Sequence, residues 1–535
     1  MLPTLPYNHR VPKSTQLQFG GYDHRRAAGN GTIWDEKNMS SVEAPLIEPR
    51  NLRYLCRTLT KPNGIYAGDE MYLFDGTNFY VDGVQKWSEL TDTKKVVAQL
   101  GNYTCVWPDK MMYKRYEGGA TMYPLQHSVT LTSIFTDGTL YGEPAEANSL
   151  QSVQIDPETQ TVMGWSLFEV GDAVKITCAN MPQNEKTIII REIGGDGTIL
   201  RFYENSFETS DQAYSVTVTR EVPDLDYVCV NENRVWGCKG DTIYCSKLGD
   251  PTNWNVFDGL STDSWAVTVG SEGDFTGCVS YLGYPCFFKE DHVYKVYGDK
   301  PSNYHVMQSA DLGVMSGSGA SFGIAGEVLY YLSRAGVVAY TGGIPSGIAE
   351  PFGEERYKNA VGGSDGLRYY ISMTDGANAH HLFVYDTRYG VWHREDDLDA
   401  MGIVWYKGGL YALCTNGRLW WLEGDAPPQG SVVEDGIESF VEFGDFDEGS
   451  PQRKGHSHVE VRGEVEDNSS FQLWIQYDSS GTWTSIGQVT PGKKRSVYFP
   501  VIPRRCDHWR LKITGEGKYR IYSITRTFYT GSEFH

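Results

Sequence analysis

Tyr227-Val228-Cys229-Val230, Asn231-Glu232-Asn233, Arg234-Val235-Trp236-Gly237, Gly240-Asp241, Thr242-Ile243-Tyr244-Cys245-Ser246 is the stretch that decides the fold. Three short runs rich in β-branched and aromatic residues are separated by corners of Asn, Gly and Asp. Such corners turn tightly between antiparallel strands. After Gly249-Asp250-Pro251-Thr252-Asn253-Trp254-Asn255-Val256-Phe257 the pattern restarts over 278–297, with a Gly283-Tyr284-Pro285 corner. Corners then fall at Gly326, Gly366 and Gly408, so the repeat is in the low forties of residues. That period suits a four-stranded propeller blade.

Working upstream, 55–127 reads as the first blades, with corners at Gly68-Asp69, Asp75-Gly76-Thr77-Asn78 and Gly101-Asn102. The rhythm breaks over 128–221. Here Val174 and Ile176 alternate with Lys175 and Thr177, and a Gly194-Gly195-Asp196-Gly197 turn follows. This predicts a small β-barrel or sandwich inserted into a loop of the repeat domain, where insertions cost little entropy. The repeat resumes over 222–424, giving about six or seven blades. A linker at 425–430 carries two prolines.

Over 431–535, Phe471, Leu473, Ile475 and Tyr477 alternate with Gln472, Trp474 and Gln476, and Trp509, Leu511 and Ile513 with Arg510, Lys512 and Thr514. One-face-buried strands at this spacing predict a β-sandwich. The expected class is therefore all-β. Residues 1–54 lack regular pattern and read as an extended arm, satisfied either by another subunit or by its own domain. The opening Met1-Leu2-Pro3-Thr4-Leu5-Pro6 shows no basic region followed by an apolar one, and no run of about 18 apolar residues suggests a membrane span.

The formal charge of −21 argues against a sequence-independent DNA clamp, which needs a basic surface. It is compatible with a channel wall that repels phosphates. Charge is also segregated within 431–535: seven acids and no base over 434–448, ten bases and two acids over 493–526. Such a split would dock on a neighbouring subunit or fold back on itself. Ten scattered cysteines without a Cys-x-x-Cys pair read as buried thiols.

Motifs for chemistry are few. There is no phosphate loop, no Gly-x-Ser-x-Gly and no His-Glu-x-x-His. His456 and His458, two apart on an expected strand, share a face but lack a third ligand. His380 and His381 point to opposite faces. Glu395-Asp396-Asp397-Leu398-Asp399 reads as a solvated acidic loop. Asp478-Ser479-Ser480-Gly481-Thr482-Trp483 faintly resembles a sialidase Asp-box, but it departs in spacing and occurs once. No catalytic, cofactor-binding or metal residue is assigned.

Asp241 to Ser246 running into Gly249-Asp250-Pro251-Thr252-Asn253-Trp254 resembles the tail-hub family of tailed bacteriophages, the packaged-DNA stabilisation and nozzle proteins. Phe287-Phe288-Lys289-Glu290-Asp291-His292-Val293-Tyr294, Tyr330-Tyr331-Leu332-Ser333-Arg334-Ala335-Gly336-Val337, and Asn38-Met39-Ser40 with Pro45 and Arg50-Asn51-Leu52-Arg53 carry the same resemblance. It implies a non-enzymatic virion protein assembled in the host cytoplasm. It would form a homo-oligomeric ring, usually a hexamer, that continues the portal channel. Portal, adaptor and other tail proteins are the implied partners, with DNA passing through without sequence-specific binding. Pro45, Arg50 and Arg53 of the arm are the expected assembly contacts. The alternatives are a tail-tip or baseplate protein that binds host-surface glycan, and a propeller glycosidase.

Overall fold

The computed structural model describes residues 12–25, 32–115, 122–449, 452–502 and 504–530. The opening hexapeptide lies outside the described residues. The fold is all-β: a β-propeller with an inserted β-domain and a C-terminal β-sandwich. Among the described residues the only helical turns are three of the 3-10 type, and no helix is long and apolar enough to cross a membrane. The chain divides into two compact units, Met71–Val314 on one side and Met1–Glu70 with Met315–His535 on the other.

In the unit Met71–Val314 the repeat takes the form of four-stranded antiparallel meanders. One comprises Val96–Leu100, Tyr103–Trp107, Met111–Lys114 and Met122–Pro124; a second, Tyr227–Asn231, Arg234–Lys239, Thr242–Cys245 and Trp265–Thr268; a third, Gly277–Tyr281, Tyr284–Phe288, His292–Tyr297 and His305–Asp311. Met71–Asp75, Asn78–Val81 and Val84–Trp87 belong to a further antiparallel meander. Glu232 and Asn233 both have positive φ, 47° and 57°. That is the backbone of a tight primed hairpin turn, as the Asn231-Glu232-Asn233 corner implies. Val96–Leu100, Tyr227–Asn231 and Gly277–Tyr281 lie side by side, each the first strand of its blade. The second strand of the middle blade, Arg234–Lys239, is hydrogen-bonded at both edges and lies between two blades, so it is buried at five of six positions.

The inserted domain is one antiparallel sheet of seven strands, in the order Lys186–Ile189, Ala173–Thr177, Tyr214–Arg220, His127–Leu140, Glu143–Ser152, Ile199–Arg201, Glu192–Gly194. It wraps its own core of Leu131, Phe135, Leu150, Trp165, Val174, Ile176 and Val218.

In the other unit, three more meanders run Gly323–Ala325 to Ser346–Gly347, Lys358–Ser364 to Val391–Asp396, and Ala400–Tyr406 to Arg418–Gly424. The last has three consecutive strands of its own. Its fourth is Tyr54–Thr58, which pairs antiparallel with Arg418–Gly424. Leu55 thus completes the final blade and does not open the first, so a strand from each end of the repeat shares one sheet. Seven blades are present among the described residues. Adjacent first strands approach closely: a Cβ on Gly363 would meet Ile403 Cγ2 at 2.5 Å.

The sandwich is built from both ends of the chain. One sheet is ordered Lys13–Gln16, Tyr519–Thr530, Lys454–Val465, Gly492–Pro500, with Arg505–Cys506 also on Lys454–Val465. The second is ordered Ile33–Lys37, Glu438–Phe443, Trp509–Glu516, Ser470–Tyr477, Thr484–Val489. The arm supplies an edge strand to each sheet and sends Phe19, Ile33, Met39 and Ile47 into the shared core. Among the described residues the arm's strands Lys13–Gln16 and Ile33–Lys37 thus pair within their own chain. All ten cysteines are free thiols, eight of them buried. Burial pushes the Cys286 thiol up to about 12.

Candidate functional site

The arm is held down by buried charge. Arg50, 6% exposed, donates from Nε to Asn38 Oδ1 at 2.9 Å and from Nη2 to Glu434 Oε2 at 3.2 Å, and its Nη1 also bonds Glu434 Oε1. Arg53, 3% exposed, donates from Nη2 to Glu395 Oε2 at 2.6 Å and from Nη1 to Asp396 Oδ2 at 2.5 Å. Burial works against the charge on Arg53, but the Asp396 and Glu395 carboxylates outweigh it and hold the guanidinium above its ordinary value. Burial likewise tends to raise Asp396, and Arg53 and Arg50 overturn that and hold its carboxyl below the usual range. Of the acidic stretch expected to be a solvated loop, Glu395 and Asp396 thus end a strand and are spent on the arm, whereas Asp397 to Asp399 follow it as a loop with Asp397 exposed.

A second anchor lies in the arm strand Ile33–Lys37. Glu36, with no exposure, faces His393 Nδ1 at 3.1 Å and accepts the Arg394 N–H at 2.9 Å. Burial would lower the His393 imidazole, but Glu36 dominates with help from Asp386 and Glu395, and its pKa is raised. Farther along, Glu48 binds Lys518 Nζ at 2.6 Å and Arg520 Nη2 at 3.2 Å. Pro45 is exposed, on the rim of a pocket of about 390 Å3 between the arm and Val391 and His393. Of the three arm residues singled out by sequence, Arg50 and Arg53 therefore have their guanidiniums occupied inside the chain, and only Pro45 faces outward.

The charge segregation of the sandwich also closes on itself. Arg510 pairs with Asp445 at 2.5 Å and Glu442 at 3.4 Å, and Arg526 with Glu448 at 2.8 Å.

In the unit Met71–Val314 the Gly-Asp-Pro-Thr-Asn-Trp loop fastens the inserted domain to a blade. Asn253, 2% exposed, donates from Nδ2 to Asp172 Oδ1 at 2.9 Å and Asp250 Oδ2 at 2.7 Å, while its Oδ1 accepts the Ala173 N–H at 3.1 Å. Asp172 is clamped from its other side by Arg220 Nη1 at 2.8 Å. Trp254 donates to Pro251 O at 2.8 Å and meets Trp107 edge-on, centroids 6.3 Å apart. A polar pocket of about 310 Å3, lined by Lys114, His127, Asp172, Arg220, Lys247 and Asp250, sits beside this clamp. Lys289 of the Phe-Phe-Lys-Glu-Asp-His motif is buried and donates to Ser271 O at 2.7 Å and Val269 O at 3.2 Å.

The histidine pair does not share a face. A register shift between His456 and His458 sends them apart. His456 is fully buried on the Trp509 ring, where burial lowers its pKa to about 4, whereas His458 stacks on Tyr498. His381 is held by Asp375 at 3.0 Å and His380 by Asp399 at 3.2 Å. Asp478 and Ser479 form the turn between Ser470–Tyr477 and Thr484–Val489. No cluster of three or more metal-ligating side chains occurs among the described residues.

No family model and no curated protein matches the chain. Among solved structures it is similar to BamB from Moraxella catarrhalis, at 14% identity over 70% of this chain and 98% of that one, TM-score 0.35. It is also similar to the computationally designed Ika8 protein, at 9% identity over 69% and 100%, TM-score 0.32. A third is the exo-beta-1,3-galactanase Pc1,3Gal43A from Phanerochaete chrysosporium, at 10% identity over 55% and 92%, TM-score 0.22. No residue role is transferred from any of them.

Proposed function

We propose that the chain is a structural subunit of a bacteriophage tail hub or nozzle, a homo-oligomeric ring that continues the portal channel and retains packaged DNA. The observation that carries this reading is the use to which its motifs are put. Asn253 and Asp250 fasten the inserted domain, Arg50 and Arg53 lock the arm, and Lys289 ties down loop carbonyls. The residues behind the tail-hub resemblance are thus spent on holding architecture rigid, which is what a channel segment under pressure requires. The net charge of −21 supports the same reading, since a lumen of the phosphates' own sign lets DNA slide without adhering. No catalytic residue is assigned in this account. Portal and adaptor proteins are the proposed neighbours, and the exposed Pro45 segment is a contact surface the arm offers them. Native mass spectrometry of the purified chain, 60.0 kDa, with and without its portal protein tests the reading. A closed hexameric ring is expected; a strictly monomeric chain in both samples contradicts it.

A further inference from the structure

The second sandwich sheet turns Val441, Phe443, Phe471, Leu473, Ile475, Leu511 and Ile513 into the core. Strand alternation then fixes what lies on its other face. Register lines up Lys37, Phe440, Thr514, Gln472 and Gln488 across five strands. The next row is Asp35, Glu442, Lys512, Trp474 and Ser485, and a third brings Glu438, Glu516 and Ser470 together. Part of this face is a groove of about 780 Å3, within the range of small-ligand sites.

We propose that this groove binds a neutral oligosaccharide. The cations along its flank are already engaged: Lys37 with Asp397 at 2.5 Å, Arg510 with Asp445 and Glu442, and Lys512 over the Phe440 ring at 4.7 Å, which leaves Glu438 and Glu516 as the groove's own charges. The middle is left to amides, hydroxyls and aromatic rings, which suits neither a phosphorylated ligand nor an apolar peptide. Trp474 stands in the row that borders the groove, half-buried, and its Nε1 donates at 2.9 Å to Oγ1 of Thr514, which lines the groove, so the indole is fixed at the groove's edge. An indole held this way offers an apolar surface for the C–H face of a sugar ring. Gln472 spends one amide N–H on Ser485 at 2.6 Å, and Gln488 one on Ser470 at 3.1 Å. Each amide keeps an oxygen and a second N–H for paired hydroxyls.

The pairing of Glu438 directly opposite Glu516 is an independent pointer. Both carboxylates are exposed, and like charges at opposed positions destabilise a sheet. A polyhydroxyl ligand that donates to both relieves that cost. The site stands apart from the hub reading, so either can fail alone.

The test is titration calorimetry of the full chain with cellohexaose and with chitohexaose as probes, repeated on variants. Saturable binding of at least one probe is expected, unchanged between about 50 and about 500 mM salt because no charge pair forms. Trp474→Ala is expected to weaken it by about tenfold or more, and Gln472→Ala with Gln488→Ala by a similar factor. The exposed Trp405→Ala, on a propeller blade, leaves it unchanged. The paired glutamine variant sits on the surface and keeps the test valid if Trp474→Ala unfolds. Absence of saturation by both probes, or binding that survives the glutamine substitutions, overturns the proposal.

Discussion

Arg53 Nη2 and Glu395 Oε2 lie 2.6 Å apart although 342 residues separate them in the chain. The pair joins the last residue before the Tyr54–Thr58 strand to the end of Val391–Asp396, with Asp396 on the other guanidinium nitrogen. It fixes the segment that enters the final blade. Replacing Arg53 by Ala leaves the buried Glu395 without its cation and Asp396 with Arg50 alone, at 3.6 Å. A loss of about 3–5 kcal/mol is expected, as for other broken buried pairs. Urea unfolding measures it, and early protease cleavage near residue 50 accompanies it.

Stability of the arm depends on pH from two sides. The Asp396 carboxyl is depressed in the folded chain, so its contribution is present above the unfolded value of about 3.9 and is lost as pH falls through the lower folded value. His393 is raised, so its contribution is full below about 6.5 and is lost as pH rises through the higher folded value. Protection of the amides of 33–37, taken relative to the intrinsic exchange rate at each pH, is therefore expected to be greatest in mildly acidic buffer. A His393→Gln variant is expected to lose the alkaline limb of that profile and keep the acid limb.

Asn253→Leu removes four side-chain hydrogen bonds and leaves Asp172 with Arg220 and the Glu169 N–H. A destabilisation of about 2–4 kcal/mol is expected from the unsatisfied buried groups. Limited proteolysis is expected to release the inserted domain, 127–220, before the blades. Simultaneous loss of insert and blades contradicts the clamp.

Gly363 has no room for a side chain, because Ile403 Cγ2 would stand 2.5 Å away and Ile403 O 2.8 Å away. Gly363→Ala is expected to cost about 1–3 kcal/mol by overpacking. Adding Ile403→Ala restores only part of it, since the carbonyl remains. Thermal unfolding of both variants reads the difference.

The propeller was legible because its corners are local. The Asn231-Glu232-Asn233 turn and the buried run Arg234–Lys239 each declare themselves within a few residues. The sandwich strands were legible for the same reason, through the alternation of Phe471, Leu473 and Ile475 with polar residues. Pairing across long separations leaves no such trace. Tyr54–Thr58 carries no mark that its partner is Arg418–Gly424, and Ile33–Lys37 none that it borders Glu438–Phe443. Arg50 and Arg53 stood out in sequence as cations on an irregular arm, but the acids that take them up sit far downstream. His456 and His458 were misplaced by a bulge, which alternation does not announce. The groove beside Trp474 was half legible: its alternating polar residues were visible, whereas the strand order that gathers them was not.

The central claim is that this chain is a ring subunit of a tail hub. Quantitative mass spectrometry of purified particles, reading its copy number against the portal protein, tests that most directly. Half as many copies as the portal is the predicted result, as for a hexamer on a dodecameric portal. Absence of the chain from the particle, or a copy number far from that ratio, contradicts the account.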